Sequence, residues 1–392
     1  MIKIISNNKK NNRKLINVNL SSRLNEEDVD KIIIRGKKFI NFSSNDYLGL
    51  SKNKTLIKTS RNWTEKFGTS LSSSRLISGN LDKISLIEKN LSKMTNNEQT
   101  LIVGSGYLLN STLIPSLTEN NLGSKKKFVI FTDKLNHSSL NHGCYLTRQK
   151  IFRYRHTDLN HLESVIRKAC KFTPKIIISE TLFSMDGDKV DVSGLRFLAK
   201  KYHAILYLDE AHAAGVYGKQ GFGLSSSGKK YEREVVVGTF GKSFGSYGAF
   251  VSSSKEISQK IINTCGGLIY STALPPSILG SIYQAVKLMP KLDYLRKKLL
   301  KNSEYLLNEL KKNSFNTGYS NSQIIPIIIQ CPKKCLKLTN FLRKSGFFTK
   351  LIKPPTVPVG SERIRLSLTA TMDREIIKKL VSLISSVNFH ET

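Results

Sequence analysis

Ile205-Leu206-Tyr207-Leu208-Asp209-Glu210-Ala211-His212 is an apolar run that ends in an acid and carries a histidine three residues beyond it. Downstream stands Val237-Gly238-Thr239-Phe240-Gly241-Lys242-Ser243-Phe244-Gly245, a lysine set among small residues. A short apolar run closed by an acid reads as a strand buried on both faces, with Asp209 at its end. Similar runs recur at Phe128–Phe131, Ile176–Ser179, Val235–Val237 and Ala249–Val251, separated by helical stretches. This alternation predicts an α/β fold: a mostly parallel central sheet flanked by helices.

Outward from that core, Lys38–Phe42 reads as a strand and residues 82–95 as a helix, with Ile84, Ile87 and Leu91 at helical spacing. Glu98–Val103 reads as a strand, and Gly104-Ser105-Gly106-Tyr107 opens the next helix. Residues 277–312 form a long helical region. Ile324–Ile329, Phe347–Lys350 and Arg363–Ser367 then read as strands of a smaller α+β domain, with Pro354-Pro355-Thr356-Val357-Pro358 as a stiff loop. The expected organisation is an N-terminal arm or short helices over 1–40, a large domain over 41–280, and the long helix with the small C-terminal domain over 281–392. No internal repeat is visible.

The acid, the histidine and the lysine together suit a pyridoxal 5'-phosphate (PLP) enzyme. Such a site needs a lysine to form a Schiff base with the aldehyde and a carboxylate to keep the pyridine nitrogen protonated. It also needs a histidine near the phenolic oxygen, and small residues that let backbone approach a phosphate. Two fragments mislead. Asp209-Glu210-Ala211-His212 spells the acidic box of a nucleic-acid helicase, and Gly241-Lys242-Ser243 looks like the end of a phosphate loop. A phosphate loop has glycine five residues before its Gly-Lys, and that position is Val236. The order is also reversed relative to a helicase. Alone, Lys242 would be a surface lysine in a glycine-rich turn; the strand-end acid and the histidine argue otherwise.

The chain has 392 residues, 39% of them hydrophobic, which suits a large α/β core plus a smaller domain. No stretch approaches the ~20 apolar residues of a membrane span, and the apolar stretch at the start is too short for a signal peptide. A cytoplasmic protein is the expectation. The formal net charge of +33 raises the prospect of nucleic-acid binding. The lysines are scattered, however, in a chain rich in Lys, Asn and Ile throughout, as an AT-rich genome would produce. A basic surface would also suit an acidic partner or an anionic substrate. The five cysteines, Cys144, Cys170, Cys265, Cys331 and Cys335, are odd in number and form no zinc pattern.

Five motifs follow in order: Asn45-Asp46-Tyr47-Leu48-Gly49-Leu50, Ser74-Arg75-Leu76-Ile77-Ser78-Gly79, Phe183-Ser184-Met185-Asp186-Gly187-Asp188, Asp209-Glu210-Ala211-His212 and Thr239-Phe240-Gly241-Lys242. From about residue 38 to its end the chain resembles the α-oxoamine synthases, a branch of the fold type I PLP enzymes. Ile269-Tyr270-Ser271-Thr272-Ala273-Leu274-Pro275-Pro276 and Pro354–Pro358 are most similar to the biotin-pathway branch of that family. That likeness implies decarboxylative condensation of L-alanine with a pimeloyl thioester, carried on coenzyme A or on an acyl carrier protein. The same-family alternatives use glycine (2-amino-3-ketobutyrate ligase and 5-aminolevulinate synthase).

The resemblance also implies roles. Lys242 holds PLP and then removes the α-proton; Asp209 pairs with the ring nitrogen. His212 and Ser184 reach the phenolic oxygen, and His137 stacks on the ring in preference to His142, whose spacing is wrong. Gly106, Tyr107 and Thr239 bind the phosphate. Ser271 and Thr272 reach the phosphate of the neighbouring subunit, which implies a homodimer. Asn45 and Arg365 hold the amino-acid carboxylate. Arg363, two residues away on the same strand, shares that face, so the choice rests on motif alignment. Thr356 contacts the acyl substrate, and Arg23 meets its distal carboxylate; taken alone, Arg23 would be a solvated surface charge. One stretch departs from the pattern: Gly68-Thr69-Ser70-Leu71-Ser72-Ser73-Ser74 carries serine where relatives usually carry more glycine. An ordinary backbone conformation is expected there.

Overall fold

The apolar runs assemble into one seven-stranded sheet. Its order is Gln99–Val103, Ala249–Ser253, Glu234–Thr239, Ile205–Asp209, Lys175–Glu180, Val129–Asp133 and Lys150–Tyr154. The last five strands are mutually parallel, and Ala249–Ser253 runs antiparallel to both of its neighbours. The structure is a computed structural model that describes residues 15–20, 30–119 and 127–387. Every residue of Lys175–Glu180 is buried, as expected of a central strand covered by helices on both faces.

Those helices begin where the chain supplies a cap. Ser105 accepts from the Leu108 N–H ahead of Gly106–Thr118, and Asp191 accepts from the Gly194 N–H ahead of Val192–Lys201. Leu109, Leu113 and Leu117 of the first helix are buried with Leu101, Val103 and Val237 on one face of the sheet. Leu195, Leu198 and Ala199 of the second are buried with Leu206 and Leu208 on the other.

Three expectations are corrected. The segment 1–40 was expected to be an arm or short helices, yet its described part contains strands: Lys31–Ile34 pairs antiparallel with Lys37–Asn41, and Asn19–Leu20 joins the edge. A run of three isoleucines resists helix and favours a strand. The long helix over 277–312 is two helices, Pro276–Leu288 and Asp293–Lys312, separated by a 3-10 turn at Met289–Lys291. Pro290 has no N–H to continue the ladder and its ring clashes with the preceding turn. The strand expected at Phe347–Lys350 is shorter and shared between sheets. Phe347–Phe348 pairs parallel with Ile40–Asn41, whereas Leu351–Ile352 joins Arg363–Ser367, which in turn pairs with Ile324–Ile328.

The serine-rich stretch brings a fourth correction. Ser72 lies at φ +54, in the left-handed region. A glycine would enter it without strain; a serine there costs on the order of 1 kcal/mol. The Ser72 N–H donates to Ser70 Oγ at 2.9 Å, a local bond that offsets part of that cost. The backbone path there is one that glycine favours, although the residue is serine.

Candidate active site

Asp209, Glu180 and Thr239 end three neighbouring parallel strands, and their carboxyl ends open into a cavity of about 170 Å³. In open α/β sheets this end of the strands is where ligands bind. The helix start at Gly106 and Tyr107, together with Asn110, His137, His212 and Lys242, also lines it. Broader grooves of about 680 and 920 Å³ lie elsewhere, the second at the opposite ends of the strands near Phe128 and Ile205. Neither contains the lysine or the paired histidines.

The geometry begins with a chain of polar atoms. Lys242 Nζ lies 3.0 Å from His212 Nε2, and His212 Nδ1 lies 2.7 Å from the Tyr47 hydroxyl. Asp209 is fixed from two sides: Asn110 Nδ2 donates to its Oδ2 at 2.8 Å, and the Ala211 N–H donates to Oδ1 at 2.9 Å. Asn110 is itself held by the Tyr207 hydroxyl, which donates to Asn110 Oδ1 at 2.6 Å. His137 caps the Ser138–Leu146 helix, and its N–H donates to Glu180 Oε1 at 2.6 Å.

Electrostatics follow from burial. Desolvation lowers the Lys242 amine to about 8; Asp209 and Glu180 oppose that shift, and Arg365 adds to it. His212 is held well below the usual histidine value by burial and then by the Lys242, Arg365 and His137 charges. The imidazole is therefore neutral. Burial also lowers His137, with Asp209 opposing. Burial and the nearby Asp209 charge hold the Glu180 carboxyl well above its usual value, while the His137 and Ser184 N–H groups and the Lys242 charge oppose that shift.

The sequence-predicted residues divide. Lys242, Asp209, His212, His137, Gly106, Tyr107 and Thr239 all line the cavity. Asn45 and Arg365 are brought together beside it: Arg365 donates to Asn45 Oδ1 at 3.2 Å and to the Tyr47 hydroxyl at 3.4 Å. Ser184 is buried next to them, and its carbonyl accepts from Arg365 Nε at 2.6 Å. Arg363 turns instead to Asp186, at 2.6 Å. Ser271 and Thr272 line a separate cleft with Arg75 and Leu274. Thr356 is exposed on the proline-rich loop, its N–H bonded to the Lys353 carbonyl. Arg23 lies outside the described residues. His142 approaches the rim, 3.1 Å from the Tyr107 hydroxyl, without lining the cavity.

Sequence reasoning did not single out Tyr47, Asn110 or Glu180. Tyr47 sits inside the quoted Asn45–Leu50 motif. Asn110 lies one helical turn beyond Gly106 and thus on the same face, a usable signal once the helix start is read. Glu180 closes an apolar run just as Asp209 does.

The residues present fit PLP. A position where a Cβ would stand on Gly106 meets no atom within 4 Å, leaving the first N–H groups of that helix open to an anion. A lysine of lowered pKa, a fixed carboxylate and a buried imidazole share one cavity with that opening. A pH consequence follows. The neutral amine is the nucleophile that captures an aldehyde. With Lys242 at about 8, PLP uptake by cofactor-free protein should accelerate about tenfold per pH unit below that value and level off above it. Stopped-flow absorbance measures this; a rise that begins only near the ordinary lysine value would contradict it.

Residues 37–384 match the family described as aminotransferase class I and II. A putative 8-amino-7-oxononanoate synthase of Magnetococcus marinus is 41% identical over 347 residues, 88% of this chain and 87% of that protein. An 8-amino-7-oxononanoate synthase of Gluconacetobacter diazotrophicus is 39% identical over 355 residues, 90% of this chain and 89% of its own length. Among solved structures, a serine palmitoyltransferase with its PLP internal aldimine superposes with a TM-score of 0.87 at 24% identity, covering 94% of this chain and 92% of that one. That likeness speaks to the fold. Because the family match runs from the second strand of the N-terminal hairpin to the last helix, it takes in every part of the cavity, and the chain belongs to the aminotransferase class I and II family.

Proposed function

We propose that this protein condenses L-alanine with a pimeloyl thioester, releasing the thiol and CO2, to give 8-amino-7-oxononanoate, with PLP as cofactor and two copies of the chain forming the active unit. The observation that carries the reading is the run Lys242–His212–Tyr47, set beside a doubly bonded Asp209 and flanked by the Arg365–Asn45 pair. The choice of substrates is supported by the relatives that are 41% and 39% identical.

Bound PLP supplies an electron sink for negative charge at the amino-acid α-carbon. The protein does the rest. Lys242 would hold the aldehyde, Asp209 would pair with the ring nitrogen, and His137 would cover the ring. His212 and Ser184 serve the phenolic oxygen. Gly106 and Tyr107 offer backbone N–H groups to the phosphate, and Thr239 offers its hydroxyl. Ser271 and Thr272, facing a different cleft, serve the partner copy's phosphate. Arg365 presents a planar fork to the substrate carboxylate, with Asn45 beside it. Thr356 and Arg23 are assigned to the acyl donor.

Proton movement centres on Lys242. A base works best when its pKa lies near the working pH, and a value of about 8 leaves a usable neutral fraction. His212, neutral and 3.0 Å away, orients the amine without competing for the proton. Tyr47 fixes the far side of that ring and links it to Arg365. Proton removal and carboxylate binding are thus tied through one hydroxyl.

The test is the visible spectrum of the PLP-loaded protein titrated with L-alanine, glycine and L-serine. Alanine should perturb it at the lowest concentration, and pimeloyl thioester should then be consumed. Preference for glycine would move the activity to the glycine-using branch. A protein that takes up no PLP would refute the reading.

A further inference from the structure

His156 sits outside the cavity, yet both of its ring nitrogens meet carboxylates. Nδ1 is 3.0 Å from Asp133 Oδ1 and Nε2 is 2.9 Å from Asp188 Oδ2. A carboxylate only accepts, so both nitrogens donate and the ring is an imidazolium. Burial alone would lower its pKa; the hydrogen bonds and charges of the two aspartates win and push it up to about 10. The Phe183 ring meets it edge-on, with centroids 4.4 Å apart.

The partners of these aspartates are what matter. Asp133 also accepts from the N–H groups of Leu135 and Thr157, both at 2.8 Å, and so shapes the turn that leads to His137. Asp188 closes the loop Phe183–Asp188. The other side of that loop rests on the C-terminal unit. Arg363 donates to Asp186, Arg365 donates to the Ser184 carbonyl, and the Asn321 N–H donates to the Gly187 carbonyl at 3.1 Å. Gly187 lies at φ +72, and a Cβ there would stand 1.9 Å from the Ile324 carbonyl oxygen. The loop is a wedge between the sheet and the strand that carries Arg365, and His156 grips its sheet side.

We propose that His156 is a positioning residue for the amino-acid substrate: clamped between Asp133 and Asp188, it fixes the Phe183–Asp188 loop, and the Ser184 carbonyl on that loop aims the Arg365 guanidinium. The inference rests on Arg365 being the carboxylate clamp. A bond of 2.6 Å from Nε to Ser184 leaves little freedom at the root of the guanidinium. A loop released at Asp188 would carry that carbonyl away and leave the fork held by Ser367, Asn45 and Tyr47 alone, misplacing the carboxylate while the Lys242, Asp209 and Gly106 sides of the PLP site stay as they are.

His156→Gln and Asp188→Asn in the PLP-loaded protein test this. In both variants the spectral Kd and the KM for L-alanine should rise about tenfold, with kcat within about twofold. PLP content per chain, read well below the melting temperature, should match the parent, and Arg365→Lys should show the same KM-weighted signature; His156→Gln should melt lower, because it leaves two buried carboxylates without their cation. Unchanged alanine affinity in both variants would overturn the proposal. So would a loss of PLP in step with affinity, because that marks general damage to the site. Should His156→Gln fail to fold, Asp188→Asn decides alone, since it keeps the shape of the side chain. A parent protein whose spectrum responds to no amino acid removes the functional reading, and this inference with it. A responsive parent with unaffected variants removes this inference only.

Discussion

Lys242→Ala should abolish turnover, with a fall of at least about a thousandfold, while the protein purifies folded. In the proposed function the lysine supplies both the covalent anchor and the base, and no other amine among the described residues lines the cavity. His212 stays bonded to the Tyr47 hydroxyl, and an imidazole cannot form a Schiff base with an aldehyde. A folded Ala variant with parental activity would end the mechanism. The same side chain carries a stability signature with a definite sign. Its amine falls from 10.5 in the unfolded chain to about 8 in the fold, a cost of roughly 3 kcal/mol while it is charged. The attraction of Asp209 and Glu180 is already included in that net shift. Below about pH 8 the amine is protonated in both states, so the cost is fully present. It fades as pH rises from there towards the unfolded value. Cofactor-free Lys242→Met, which keeps the apolar stem and drops the charge, should therefore melt higher than the cofactor-free parent at pH 7. The gap should narrow near pH 10. A lower melting temperature at pH 7 would show that the site does not penalise the cation.

Asp209→Asn should lower kcat by about a hundredfold or more while PLP remains bound through Lys242, because a neutral amide cannot hold the ring nitrogen protonated. The local packing sharpens the expectation. Asp209 now accepts two N–H groups, from Asn110 and Ala211. Asparagine can keep only one of them as acceptor and must turn its NH2 towards the other donor. If the Ala211 bond survives, the new NH2 faces the Asn110 NH2, and Asn110 must flip. Its oxygen then leaves Tyr207, whose buried hydroxyl must reverse its role from donor to acceptor. Structural repair is thus available at modest cost, and the chemical loss should dominate. Steady-state kinetics with absorbance at full PLP occupancy separates the two. A near-parental kcat would remove Asp209 from its assigned role.

The strand carrying Asp209 was legible because its apolar residues are consecutive, which marks burial on both faces. Lys150–Tyr154 escaped notice for the opposite reason: it is the edge strand, with Lys150 and Arg153 exposed among half-buried neighbours, and its pattern is that of a loop. The cavity was legible wherever a short motif carried the residue. It was not where the meaning of a residue depends on its neighbour in the sheet. Glu180 looks like any solvated acid until the register sets it opposite Asp209. Arg363 and Arg365 are equivalent by alternation alone. The loop on which both rest separates them, sending one to Asp186 and the other to the Ser184 carbonyl, and Asn45, from a different segment, meets only Arg365 of the two. The break at Pro290 is legible in the sequence, since proline has no N–H to continue the helix.

The parallel pairing of Phe347–Phe348 with Ile40–Asn41 joins opposite ends of the chain, and it is continued by the Ser367 N–H on the Phe42 carbonyl and the Ala370 N–H on the Tyr47 carbonyl. During synthesis the segment bearing Asn45 and Tyr47 leaves the ribosome early but has no partner until the last strands emerge. The central sheet can close first, since its strands follow one another within the middle of the chain. Such long-range pairings form late because loop-closure entropy opposes them. A nascent chain would thus hold Lys242, Asp209 and His137 in place while the carboxylate-binding side stays open. The ribosome would have to deliver the Arg363–Ser367 strand before the proposed carboxylate clamp could form.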